Sequence, residues 1–222
     1  MKVQVYTMQS VEEALEIVSL GVDHLGITPS NIGLPGEIDF FTAREIVEAV
    51  GETAVCVALT VESNFREIIR MTLAVQPDIL HLCGLENTFP PEAVLKLRDQ
   101  LPDMPIMQAV SVAGPDALDV AMSYQEVADY IILDTQAPDI AGIGASGVTH
   151  DWNISRNIVQ QVAIPVILAG GLSPENVAEA IEDVQPWGVD SLTHTNQYLP
   201  AGGFQKDIDR VRQFVIAAKG RT

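Results

Sequence analysis

Eight times along this chain a short apolar, β-rich run is followed by a segment of helical period, and no other feature constrains the fold as strongly. The first four pairs are 2–6 with 11–21, 23–27 with 40–51, 53–59 with 65–75, and 78–82 with 91–101. The second four are 105–110 with 116–124, 129–133 with 152–162, 165–169 with 174–184, and 188–193 with 207–218. Strict alternation of this kind predicts a parallel sheet with helical crossovers. Eight units in 222 residues predict an α/β fold closed into a (β/α)8 TIM barrel, near the short end of its size range. An open doubly wound sheet would carry G-x-G-x-x-G after its first strand, and "VYTMQSVEE" has no such signature. No linker, low-complexity tract or charge block marks a boundary, so residues 1–222 are expected to form a single TIM-barrel domain.

Composition narrows the function classes. Hydrophobic residues make up 47% of the chain, enough for a substantial core. No apolar run approaches the ~18 to 20 residues of a membrane span, and "MKVQVYTMQS" lacks the long apolar segment of a secretory signal. These features predict a cytoplasmic protein without a membrane partner. The net charge of −18, from 30 acidic against 12 basic residues, argues against nucleic acid, whose phosphates such a surface repels. Only four of the twelve basic residues are lysine, which fits either a salty cytoplasm or ordinary solubility. Cys56 and Cys83 form neither a disulfide framework nor a C-x-x-C spacing. With no H-E-x-x-H, P-loop lysine motif or defensible Ser–His–Asp spacing, the expectation is no metal and no cofactor.

In a barrel, chemistry sits where strands end and helices have not begun. The long loops there are 28–40 and 134–150, both rich in Gly, Pro, Ser and Asp, as lids and binding loops are. Asp134 ends the strand "YIILD"; it is either a buried general acid with a raised pKa or a cap for the loop it opens. The stretch 142–152, "GIGASGVTHDW", clusters glycines, Gly147 among them, before Asp151, the expected N-cap of the next helix. Thr193 and His194 fall where the loops after strands seven and eight make the phosphate site of many such barrels. Gln4 and Tyr6 share one face of strand one, Gln108 lies within strand five, and His81 and Cys83 flank the end of strand four. Each is either a substrate contact or part of an interior network, and Cys83 is also readable as an inert buried thiol. In "LAGGLSPENVAEAI" (168–181), Gly170 and Gly171 precede a helical pattern that starts at Pro174. They form either a tight turn or a backbone cradle for phosphate at a helix N-terminus.

The last segment is very similar to the loop and helix after strand seven of the phosphoribosylanthranilate isomerase family, (β/α)8 barrels of tryptophan biosynthesis. The resemblance continues in "ILDTQAP", in "GASGVTHDW" against the family pattern G-G-[ST]-G-x-x-x-D-W, in "VQPWGVDS", and in "ILHLCG" against V-Q-L-H-G. These matches keep their order over nearly the whole chain. The resemblance implies an Amadori rearrangement of an aminoaldose to an aminoketose, with Asp134 as the acid that opens the furanose ring. It also implies phosphate held by Gly170 and Gly171, a small phosphorylated substrate, and a monomer or homodimer.

Several family residues are absent. The family reads K-I-C-G-[IL]-T at strand one, where its cysteine is the general base; this chain reads "QVYTMQ", with Tyr6 at that place. The phosphate loop S-S-G-V-E is here "LTHTNQ", with His194 for the glycine. The arginine of S-P-R-Y, which helps hold the anthranilate carboxylate, is missing, and "SNIGLPGEID" offers Glu37. The family's glycine-loop lysine is Val148 here. The expectation is an isomerase whose substrate has changed, with Asp134 partnered by Tyr6, His81, Cys83 or His194. The alternatives are a non-catalytic ligand-binding relative, or a true phosphoribosylanthranilate isomerase with a substituted base.

Overall fold

The computed structural model describes residues 1–85, 88–135, 143 and 149–220. The first half runs β1 (Lys2–Val5), α1 (Val11–Ser19), β2 (His24–Ile27), α2 (Phe40–Val50), β3 (Val55–Thr60), α3 (Phe65–Val75), β4 (Ile79–Leu82) and α4 (Pro91–Gln100). The second half runs β5 (Ile106–Ser111), α5 (Ala117–Tyr124), β6 (Tyr130–Asp134), α6 (Trp152–Gln161), β7 (Val166–Leu168), α7 (Val177–Val184) and β8 (Gly188–Ser191). A hairpin, β9 (Asn196–Tyr198) with β10 (Phe204–Lys206), precedes the last helix, α8 (Ile208–Lys219). Strands β1 to β8 are parallel and close on themselves through the β1–β8 pair, so the fold is a (β/α)8 barrel.

The alternation within each strand sorts side chains between two layers. Val3, Val5, Leu25, Ile27, Leu80 and Leu82 belong to the layer packed under the helices. Burying each such side chain stabilises the fold by ~1.5 to 3 kcal/mol. Tyr6, Val57, Ile79, Cys83, Met107, Ala109, Ile132, Ile167 and Ala169 form the barrel interior. Below them His24, Tyr130 and Trp187 pack their rings together, with centroids 5.5 to 6.5 Å apart. Gln4 Oε1 lies 3.3 Å from His24 Nδ1, which ties β1 to β2 inside the barrel.

Helix starts are chemically marked. Ser10, Asp39, Asn64, Asp151 and Asp207 each accept a backbone N–H from the first turn of the helix they cap. The segment after β7 departs from expectation. The helix begins at Val177 rather than Pro174. Asn176 closes a turn instead, accepting from Ser173 N at 2.8 Å and donating to Gly171 O at 3.1 Å. Such side-chain bonds give the backbone an alternative to helix. The eighth strand likewise stops at Ser191, and Thr193–Thr195 form a 3-10 turn. Among the described residues no helix is long and apolar enough to cross a membrane.

Candidate active site

The interior face of the barrel ends in a pocket lined by Tyr6, Thr7, Thr28, Leu34, Pro35, Leu59, Val61, His81, Cys83, Ile132, Asp134, Ile143, Asp190 and Leu192. Tyr6, His81, Cys83 and Asp134 are thus brought together, as the sequence suggested. Asp190 joins them from β8. A smaller notch lined by Gly170, Gly171, Leu172, Ser191, Leu192, Thr193 and His194 adjoins it, and both Asp134 and Asp190 reach into that notch too.

Asp134 is half-buried at the end of β6, and its removal from water pushes its carboxyl up to about 7, although Oδ1 accepts the Thr135 N–H at 2.6 Å. Asp190 is pushed up to about 8, first by burial and then by the charge of Asp134. Two carboxyls sharing a water-poor cavity cannot both ionise at low cost, so the pair holds one proton near neutral pH. Its Oδ1 has no hydrogen-bond partner among the described residues.

The strand-one and strand-four residues behave differently. The Tyr6 hydroxyl and His81 Nδ1 are hydrogen-bonded at 2.8 Å. Burial, with the charges of Asp190 and Cys83, raises the phenol well above its usual 10, and burial lowers His81 to about 3. Both are neutral at pH 7, and neither is a competent base. The Cys83 Sγ donates to Ile143 O at 2.7 Å, and burial first, then Asp134, pushes its thiol up. Cys56 is buried in the outer layer. We therefore expect neither cysteine to react with a thiol reagent at pH 8 until the protein is denatured, when both should titrate; labelling of native Cys83 would contradict this packing.

The notch owes its shape to glycine. Gly170 and Gly171 have φ of +84° and +64°, a region side-chain-bearing residues rarely occupy. A Cβ on Gly170 would stand 2.9 Å from His150 Nδ1, 3.1 Å from Thr135 Oγ1 and 3.2 Å from Asp134 Oδ1. Ser191 Oγ donates to Leu172 O at 2.8 Å, joining the two loops. Arg210, ion-paired with Glu175, donates from Nε to His194 O at 3.2 Å.

Sequence reasoning missed Asp190, His150 and Lys206. Asp190 was visible in "GVDS", where its period-2 position puts it inside, but a lone Asp in a strand gave no further signal. His150 sits between Thr135 Oγ1 at 3.3 Å and Ser155 Oγ at 2.6 Å, bracing the loop that carries Asp134. Lys206, on β10, is buried; its ammonium donates to the carbonyls of Tyr6 and Leu192, to Thr195 Oγ1 and to Asn196 Oδ1. It holds the chain ends of β1 and β8 together beside the pocket.

One expected site residue falls elsewhere. Gln108 alternates with Met107 and Ala109, which face the interior. Its side chain therefore points outward, toward a groove with Ser111, Asp116 and Tyr124, and its amide donates to Ala109 O at 2.9 Å. Gly147 and Val148 lie outside the described residues. Asp151 is the N-cap of α6. In the loop after β2, the Glu37 carboxylate accepts the backbone N–H groups of Ile32, Gly33 and Leu34 at 2.9 to 3.0 Å. It cinches the loop whose Leu34 and Pro35 line the pocket.

Acid–base side chains at the C-terminal strand ends of a (β/α)8 barrel, beside a glycine notch after strands seven and eight, define the layout of a barrel enzyme, and the relatives of this chain narrow that class to one family. The model of N-(5'-phosphoribosyl)anthranilate (PRA) isomerase matches residues 3–215. The chain is 33% identical over 214 residues to the N-(5'-phosphoribosyl)anthranilate isomerase of Methanocella arvoryzae, covering 96% of each chain. Among solved structures it is similar to phosphoribosyl anthranilate isomerase from Thermotoga maritima, with a TM-score of 0.81, 28% identity and 99% of each chain covered. A further solved isomerase, in complex with reduced 1-(o-carboxyphenylamino)-1-deoxyribulose 5-phosphate, aligns with a TM-score of 0.79 at 26% identity over 99% of both chains. The chain belongs to the N-(5'-phosphoribosyl)anthranilate isomerase family, a family of isomerases of tryptophan biosynthesis.

Proposed function

We propose that this chain catalyses an Amadori rearrangement, converting an N-substituted 5-phosphoribosylamine to the corresponding aminoketose. The observation that carries the reading is Asp134, a half-buried carboxyl raised to about 7 that shares a proton with Asp190 and borders both the central pocket and the glycine notch. A general acid there can protonate a furanose ring oxygen while the 5-phosphate rests in the notch. Gly170, Gly171, Thr193 and His194 form that phosphate site, and Tyr6, His81 and Cys83 shape the pocket wall. The ligand of the solved relative, a phosphorylated aminoketose analogue, supports the substrate class.

A second reading concerns the amine. Glu37 is spent on the backbone of the loop after β2, and no arginine or lysine is among the described residues that line the central pocket to pair with a carboxylate. This favours an amine without a carboxylate. Turnover of N-(5'-phosphoribosyl)anthranilate and of its aniline counterpart, which lacks that carboxylate, tests both readings. Conversion of either supports the rearrangement, and a higher kcat/KM for the aniline compound supports the second reading. Conversion of neither, with inorganic phosphate still bound, would leave only a ligand-binding role.

A further inference from the structure

The chain lacks the cysteine that removes the C2 proton in its family, and three of the candidate replacements from sequence, Tyr6, His81 and Cys83, are unsuited to the work, while the fourth, His194, lies in the notch. Tyr6 is tied to His81, and the Cys83 thiol is committed to a carbonyl. The geometry offers one other group. Strand β8 is the neighbour of β1, with Asp190 in register with Gln4 and the Tyr6 N–H bonded to Ser191 O at 3.1 Å. The Asp190 carboxyl therefore stands beside the place of the missing cysteine, one strand over, on the same interior face. It borders the central pocket and the notch together with Asp134. One carboxyl oxygen, Oδ1, is buried on the side of Gln4 with no close hydrogen bond among the described residues, while the residue itself lines the pocket where substrate would sit.

We propose that Asp190 is the general base of this enzyme, taking the proton from C2 that the family's cysteine takes. The assignment rests on the Amadori reading above. Asp134 gives its proton to the ring oxygen as the C1–O bond breaks, and the nitrogen lone pair forms the C1=N bond of an iminium ion. The Asp190 carboxylate then removes the hydrogen on C2 as a proton. The C–H electrons form C1=C2, and the C1=N pair returns to nitrogen, giving an enolamine. Asp190 delivers its proton to C1 as the enol hydroxyl proton passes to Asp134, which forms the ketone and restores both carboxyls. No redox partner is needed, and the product is an isomer of the substrate. The pair's one proton can sit on either carboxyl: with it on Asp134, the Asp134 charge that raises Asp190 is gone and Lys206 favours the Asp190 carboxylate, and this is the form that enters the reaction.

The test compares the wild type with Asp190→Asn and Tyr6→Phe, using N-(5'-phosphoribosyl)anthranilate and its aniline counterpart with hydrogen or deuterium at C2. Asp190→Asn should lose ~10²- to 10⁴-fold in kcat and express a full C2 isotope effect, because proton removal becomes the slow step. Its near-ultraviolet circular dichroism and melting transition should stay those of the wild type, which a collapsed site would not allow. Tyr6→Phe should lose less than about tenfold, the cost of one lost hydrogen bond. The assignment is overturned if Asp190→Asn stays within tenfold of wild type or shows no isotope effect, or if Tyr6→Phe suffers the larger loss. Should Asp190→Asn fail to fold, Tyr6→Phe decides alone: a hundredfold loss there returns the base to strand one. A wild type that converts neither compound removes the Amadori reading itself, an outcome separable from any variant's behaviour.

Discussion

Asp134→Asn should lower kcat by ~10²- to 10⁴-fold, the usual contribution of a positioned acid, without unfolding the barrel. Asparagine keeps the shape of the protonated carboxyl and the Oδ1 that accepts from Thr135 N, but it has no proton to give to a ring oxygen. Phosphate affinity should persist, because the notch is built from Gly170, Gly171 and the Thr193–His194 turn. Stability supplies an independent readout. The carboxyl has a folded pKa of about 7 against 3.8 for the ordinary group. Unfolding therefore releases a proton at pH values between those two, and the wild type loses stability as pH rises through that window. The variant has no such proton, so its melting temperature should gain on the wild type between pH 4 and 7. Thermal melts at pH 4.5 and 7.5 check this, and a gain in the opposite direction would mean that the carboxyl is ionised in the folded protein. Equal turnover by wild type and variant would remove Asp134 from the mechanism.

The second large effect is on folding. Gly26 on β2 lies directly under the ring of Tyr6, and a Cβ there would stand 2.0 Å from Tyr6 Cδ1 and 2.2 Å from Cγ. The ring is fixed by its bond to His81 and by the interior cluster, so it cannot swing aside cheaply. Gly26→Ala should destabilise by about 3 kcal/mol or more, the upper range of overpacking, which is on the order of 10 °C in Tm for a chain of this size. In a Tyr6→Cys background the same change should cost less than about 1 kcal/mol, because the colliding ring is gone. Denaturant titration of the four proteins measures the coupling; additive costs would show that the ring does not fill this space. The result bears on the site as well, since it shows that the strand-one residue fills the space beside β2 at the pocket wall.

The eight strand–helix units, and with them the closed barrel, were legible because hydrophobic periodicity and caps are local signals. Every expected strand overlaps its observed one, and only β3, β5 and β6 run one residue past the expected end. Asp134 and the paired glycines were legible for a related reason, since strand-end position and left-handed glycine are both encoded within a few residues. The hairpin of Asn196–Tyr198 and Phe204–Lys206 was missed because its three-residue strands are too short and too polar to show apolar alternation, although the Gly pair in the turn between them is a local signal. Gln108 read as an interior residue because strand five is buried on both faces, and only the alternation with Met107 and Ala109 in three dimensions turns it outward.

By itself the sequence determined the architecture, the end of the barrel where chemistry sits, the aspartate that ends strand six and the loss of the strand-one cysteine. It did so through patterns of period and position that need no distant contact. The tertiary structure alone decided the state of each polar group within the pocket. Whether a tyrosine binds a histidine 75 residues away, or a buried carboxyl meets another at the same barrel mouth, depends on closure of the sheet and exclusion of water. Those two conditions, close approach and desolvation, set which carboxyl keeps its proton and which one is left to take another.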